Sequence, residues 1–296
     1  MSILNDIKKF YTKGGNTEKI LFVNTLVFII LQLVLLVIYL FNQKVALSYF
    51  AAGTFLSSTS SIPVLATKPW SIITHMFTHL ELLHFLFNML VFYFAGGLFV
   101  MYYSQRELWK LYLLSGLSGF ILFVFAFNVF PVFQEINPLT TICGASASVM
   151  GILVAGAMAD LKRKVRLFGI VEVEILWVVL GLLLLDLVSI KSGNNSGGHI
   201  GHLGGALFGF LFVQTRKKGI NMTGWLDKIL DGIKSLVGGS KKGKAPKKRF
   251  ETDEEYNARK KANQKRIDLI LDKISRTGYE GLTKEEKEFL FTHSQK

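Results

Sequence analysis

Cysteine is almost missing from this chain: Cys143 is the single one in 296 residues. One thiol excludes an internal disulfide and any metal site made of several cysteines. Its expected role is that of a small core residue, and serine rather than thiol chemistry is expected beside it. Carboxylates are scarce inside the long apolar runs and the HExxH motif is absent. A metal transporter therefore ranks low, although several histidines lie in or near those runs. A cleavable signal is also lacking: the first apolar run is long and follows a charged leader, so it is expected to stay as a signal anchor. Acidic residues fall short of basic ones, 21 against 34, leaving a net charge of +13. Part of that excess sits in the tail, so nucleic acid is not an expected partner.

What the chain has in abundance is apolar sequence. Half of its residues are hydrophobic, 25 are Phe, and mean hydropathy is +0.39, values that point to an integral membrane protein. A spanning helix needs about 20 apolar residues. Six segments are read as long and apolar enough to span: Ile20–Phe41, His75–Tyr103, Leu108–Phe130, Cys143–Ala159, Ile170–Ile190 and His199–Val213. The fourth and sixth are short and rich in Gly and Ala, which permits close helix contact. The expected fold class is an all-α membrane protein, a six-transmembrane-helix bundle with a small cytoplasmic helical C-terminal region.

Basic residues alternate along these segments. Lys8, Lys9, Lys13 and Lys19 precede the first; Arg106 and Lys110 separate the second from the third; Lys162, Arg163, Lys164 and Arg166 separate the fourth from the fifth; Arg216, Lys217 and Lys218 follow the sixth. The positive-inside rule then puts both termini in the cytoplasm. Residues 1–19 read as a cytoplasmic leader and 20–215 as the six-helix domain. Residues 216–250, with GGSKKGKAPKKR at 238–249, read as a basic flexible linker that can touch anionic lipid or serve as a solvated spacer. Residues 251–296 read as a helical module, with Thr252/Glu255 and Thr283/Glu286 at capping-box spacing and an apolar stripe through Ile267, Leu269, Ile270, Leu271 and Ile274.

Chemistry concentrates in three stretches: HLELLHFLFN at 79–88, GASAS at 144–148 and GHIGHLGGALFG at 198–209. Ionisable side chains within a span are costly and tend to line an internal site. His84 and Asn88 are one helical turn apart on one face, with His79 just over a turn earlier. They can donate to a developing oxyanion, each donor contributing about 3 kcal/mol in a dry site. For His79, a purely structural hydrogen bond competes equally with that role. Ser146 is flanked by residues too small to block a substrate backbone; Ser148 points to another face and is expected to be structural. His202 opens a glycine ladder, Gly205 and Gly209, that can pack against Gly144, Ala147 and Gly151 and bring the imidazole within reach of the Ser146 hydroxyl. His199 is expected nearer the surface. Asp186 lies in the fifth segment without a diagnostic spacing, so a Ser–His dyad without a carboxylate is expected, with packing alone fixing the ring. The alternation of spans puts His79, His84, Asn88, Ser146 and His202 at similar depth, in the outer half of the bilayer.

These three motifs, in this order, resemble those of the rhomboid intramembrane serine proteases, over roughly residues 65 to 215. The family's His, His and Asn are met by His79, His84 and Asn88; its GxSG motif by Gly144, Ala145, Ser146 and Ala147; its HxxGxxxG motif by His202, Gly205 and Gly209. The long connection from Asn42 to Thr74, with Trp70, resembles the family's membrane-embedded first loop. Four positions depart: Ala147 stands for the second glycine, Ser71 for an arginine, Val100 for a glutamate and Met150 for an aromatic.

The resemblance implies a serine endopeptidase that cuts transmembrane segments of other membrane proteins near the outer face. Ser146 would be the nucleophile and His202 the base; His84, Asn88 and the Ser146 amide would form the oxyanion hole. Substrate helices would approach sideways between the second and fifth spans, and no metal or other cofactor is implied. The expected location is the cell membrane, multi-pass, as in a bacterial inner membrane. A rhomboid relative without catalysis, acting as a membrane-protein binding or quality-control factor, is the alternative reading.

Overall fold

The computed structural model describes residues 14–41, 54–134, 140–167, 169–192, 195–229 and 253–294. The chain divides into two compact units, Met1–Gly238 and Gly239–Lys296. Most of the leader, most of the basic linker and the Thr252 cap lie outside the described residues.

The first unit is helical: α1 Asn16–Phe41, α2 Ile62–Thr67, α3 Ser71–Thr74, α4 Leu82–Val100, α5 Gln105–Val129, α6 Pro131–Gln134, α7 Ser146–Ala159, α8 Ile175–Ser189 and α9 Ser196–Lys217. Helices α1, α4 and α5 are long and apolar enough to cross a membrane, and α7 and α8 are shorter apolar helices. Helix α9 has 22 residues, and its first turns carry glycine and histidine in place of large apolar side chains. Two small antiparallel sheets add to the all-α expectation: Ser58–Thr59 (β1) with Thr141–Ile142 (β2), and Lys164–Leu167 (β3) with Val171–Glu174 (β4).

Two of the expected helix starts move furthest. The second segment is not one helix from His75. After α3 comes a 3₁₀ turn, His75–Phe77, then an irregular stretch, and α4 starts at Leu82. The carbonyls there are engaged elsewhere: the His75 carbonyl accepts from the amides of Thr78 and Gly144 (3.2 and 2.9 Å), and the Met76 carbonyl accepts from the Tyr112 hydroxyl (2.8 Å). The fifth helix begins at Ile175, not Ile170, because Val-Glu-Val-Glu at 171–174 has the period of a strand and pairs with β3.

Helices α5, α7 and α9 form the packed centre, and glycine sets how closely they approach. A Cβ on Gly205 would collide with the carbonyl of Ala147, and one on Gly209 with the carbonyl of Gly151. The same interval of four residues on both helices means that α7 and α9 run parallel in constant register. Helix α5 runs the other way: Gly119 lies against Gly201 and Phe123 against Gly197, the Ser118 hydroxyl donates to the Gly204 carbonyl (2.8 Å), and near the far end Arg216 pairs with Glu107. Glu107 also closes a capping box with Ser104 at the start of α5. Helix α1 joins through buried Asn24, whose amide donates to the Ile20 carbonyl and to the Tyr112 hydroxyl (2.9 and 3.1 Å).

Large apolar side chains remain exposed on α1, α4 and α8, among them Leu33, Leu83, Phe87, Trp177, Leu184 and Val188. Helix α8 packs mainly against α9 and less against α7, and α4 and α8 are not among the closely packed pairs. In the second unit, α10 Asp253–Thr277 and α11 Lys284–Ser294 are joined by the Lys273–Glu286 ion pair at 2.9 Å. Thr283 and Glu286 form a reciprocal cap: the Thr283 amide donates to Glu286 Oε2 (2.7 Å) and the Glu286 amide to Thr283 Oγ1 (3.3 Å).

Candidate active site

Ser146 is the first residue of α7 and is half-buried. The first intrahelical acceptor in α7, the Ala145 carbonyl, is used by the Val149 amide. The amides of Ser146, Ala147 and Ser148 therefore lie in the unpaired first turn, where the helix dipole favours negative charge. A serine there has its own backbone amide beside its hydroxyl, the arrangement an oxyanion needs.

The segment before the serine is held from the α3–α4 connection. Gly144 has φ +116°, a conformation that favours glycine, and a Cβ there would meet His84 Cε1 at 2.8 Å and Nε2 at 3.0 Å. The bare Gly144 Cα is thus what allows the His84 ring to lie over the serine loop. The Gly144 amide donates to the His75 carbonyl (2.9 Å), and the Ala145 amide donates to His79 Nε2 (3.2 Å). Accepting at Nε2 leaves the neutral His79 ring protonated at Nδ1. His79 is fully buried and lies edge-on to His84, ring centroids 5.3 Å apart. It is not on the α4 helix with His84, as expected, but in the irregular stretch ahead of it, and it grips the serine loop directly.

His84 and Asn88 do share a face of α4, and the Asn88 amide donates back to the His84 carbonyl (2.9 Å). Among the described residues its second N–H hydrogen has no hydrogen-bond partner.

His202 reaches the same end of the bundle through α9. With Gly205 on Ala147 and a Cβ on Gly201 meeting Ile142 Cδ1 at 2.9 Å, the parallel register places His202 level with the serine loop. Among the described residues no hydrogen bond joins the Ser146 hydroxyl to His202. Ser148, as expected, points elsewhere: its buried Oγ faces Gly116 of α5. Met150 packs in the core.

The expectation that packing alone fixes the His202 ring is corrected by Asp186. Its Oδ1 lies 2.8 Å from His202 Nδ1 and 2.8 Å from His199 Nδ1. The His202 and His199 side chains are similarly accessible, 20% and 22%, against 8% for the aspartate. Sequence reasoning passed over Asp186 because it sits 16 residues from His202. The usable signal was that it is the one carboxylate in the apolar run of α8. The three groups lie within 4.8 Å of one another and are of types that can ligate a metal ion. The two Nδ1–Oδ1 distances are those of charge-assisted hydrogen bonds.

Lys68 is a second residue missed at the sequence level. Its ammonium donates to the carbonyls of Thr54 and Ser57 (2.6 and 3.0 Å), and burial lowers its pKa from 10.5. Trp70 Nε1 donates to the Phe55 carbonyl (2.9 Å), so both residues tie down the segment ahead of α3.

A multi-pass helical membrane protein with a serine at a helix N-terminus and two histidine-bearing helices around it defines a narrow class. The chain belongs to the rhomboid family: the Rhomboid domain matches residues 66–218. Residues 251–296 match a second family, one of unknown function. Over 157 residues the chain is 26% identical to presenilin-associated rhomboid-like protein A, mitochondrial, of Danio rerio, covering 52% of this chain and 39% of that protein. The chain therefore spans well under half the length of that relative.

Proposed function

We propose that this protein is an intramembrane serine endopeptidase that cleaves transmembrane segments of other membrane proteins near the outer membrane face. Ser146 is the nucleophile and His202 its general base. The observation that carries this reading is the convergence on one serine of an open helix N-terminus, the His84 ring over Gly144, and His202 in register on the parallel helix α9. As the Ser146 oxygen bonds to the scissile carbonyl carbon, its proton passes to His202 Nε2 and then to the amine nitrogen as the C–N bond breaks; water, giving a proton to the same Nε2, then attacks the acyl carbon and releases Ser146, which takes that proton back. His84, Asn88 and the Ser146 amide face the oxyanion, and His79 holds the loop.

The sparse packing between α4 and α8 supports sideways access for a substrate helix. Substrate segments rich in Gly or Pro unwind most readily and are the preferred ones. We assign six spans, a cell-membrane location of bacterial inner-membrane type, and cytoplasmic termini, from the charge alternation. Transmembrane substrates and the bilayer are the partners, with the basic linker near anionic lipid and residues 251–296 as a separate module.

A second reading, a binding or quality-control factor without catalysis, draws support from the unmade Ser146–His202 hydrogen bond. Labelling with a serine-directed fluorophosphonate separates the two. Attachment at Ser146 that disappears in His202→Ala supports the protease; an inert Ser146 in folded protein favours the binding factor.

A further inference from the structure

We propose that Asp186 is a positioning residue for this site: its carboxylate fixes the His202 tautomer and so makes the docking of α8 on α9 a condition of activity. The proposal rests on the protease reading above. An ionised carboxylate only accepts hydrogen bonds, so the 2.8 Å contact from Oδ1 to His202 Nδ1 requires the proton on Nδ1. Nε2 is then the nitrogen with a free lone pair, the one that must take the Ser146 proton. When it does, the imidazolium carries its charge beside a carboxylate, and the proton leaves again from Nε2 to the amine; Asp186 neither gains nor loses one.

Asp186 does not have the surroundings of an incidental polar residue. It lies in a helix whose other buried side chains are Ile175 and Val179. Its second oxygen, Oδ2, is buried and has no hydrogen-bond partner among the described residues. A carboxylate is expensive in an apolar span and is kept there for a partner. His199 Nδ1, also 2.8 Å from Oδ1, braces the same oxygen from one turn earlier on α9 and holds the carboxylate in place. Because α8 meets the centre of the bundle mainly through α9 and less through α7, any outward movement of α8 withdraws the carboxylate from His202. The base is correctly oriented only while α8 is docked.

The test uses the full chain in lipid vesicles and compares wild type with Asp186→Asn, Asp186→Glu and Ser146→Ala. The asparagine side chain keeps the size and one acceptor, so a purely structural contact survives it. Its amide can also donate to Nδ1, which favours the wrong tautomer. Expected for Asp186→Asn are an unchanged melting temperature, KM within about twofold, and kcat lower by about 100-fold, the scale of a general-base contribution. Asp186→Glu recovers part of that loss. Side-chain ¹⁵N spectra, assigned with His202→Ala, show His202 protonated at Nδ1 in wild type and shifted toward Nε2 in Asp186→Asn. Wild-type kcat in Asp186→Asn, or an Nε2-protonated His202 in wild type, overturns the proposal. If Ser146→Ala cuts like wild type, or nothing cuts, the protease reading fails instead, and the ¹⁵N spectra still decide what Asp186 does to His202.

Discussion

Replacing Gly205 by alanine adds one methyl group at the closest approach of α9 to α7. That Cβ would overlap the Ala147 carbonyl oxygen and lie 2.7 Å from its carbon and 3.1 Å from its Cα, where ordinary contact is 3.4–4 Å. The obstacle is backbone, which has no rotamer to give, so the helices must separate by something near 1 Å. Overpacking of this kind destabilises by about 1–3 kcal/mol. The displacement acts beside Ser146 on one helix and within a turn of His202 on the other. A misplacement of about 1 Å in a reacting pair lowers the rate by about 100-fold. The assay pairs thermal unfolding in detergent with cleavage of a single-span substrate in vesicles. Gly97→Ala on α4, where a Cβ meets nothing within 4 Å, serves as the control. It should cleave normally and gain up to about 1 kcal/mol from helix propensity. If Gly205→Ala melts and cleaves like wild type, the close-packing account of the Ser146–His202 pair is refuted.

Gly144→Ala should lose most activity and about 1–3 kcal/mol of stability, since a φ of +116° and the His84 ring both oppose a side chain; wild-type cleavage would contradict the reading. Tyr112→Phe removes a buried hydroxyl that donates to Met76 and accepts from Asn24 and should lower stability by about 1–3 kcal/mol, measured by thermal melts, while a shift near zero would show those bonds to be dispensable. In the C-terminal module the Lys273 ammonium, with the Thr283 amide, holds the Glu286 carboxyl below its ordinary value of 4.5. The stabilisation is present above that ordinary value and is lost as pH falls through the depressed one. Lys273→Met should move the Glu286 titration, followed by carbon-13 NMR, back toward 4.5; an unmoved titration refutes the pairing. Chelators should leave cleavage intact, because the proposed chemistry uses no metal, and a chelator-sensitive rate would turn attention to Asp186, His199 and His202 as ligands.

What could be read from the chain follows how local each signal is. The His202–Gly205–Gly209 ladder announces a close helix contact because helical periodicity lies within a dozen residues, and the structure sets that ladder on Ala147 and Gly151. The start of α4 was misread because His79 and His84 fit a helical spacing. What interrupts the helix is tertiary: carbonyls of His75 and Met76 bonded to Gly144 and Tyr112, far along the chain. At Val171–Glu174 the strand period was visible but was absorbed into the apolar run behind it. An aspartate's partner on a neighbouring helix leaves no trace in spacing, so nothing in the sequence pairs Asp186 with His202.

Cleavage of a fluorescent single-span substrate by purified protein in lipid vesicles, with Ser146→Ala and His202→Ala alongside, tests the central claim most directly. The account predicts that wild type cuts near the outer end of the substrate span while both variants, folded by their melts, do not. Cleavage by Ser146→Ala at the wild-type rate would contradict it.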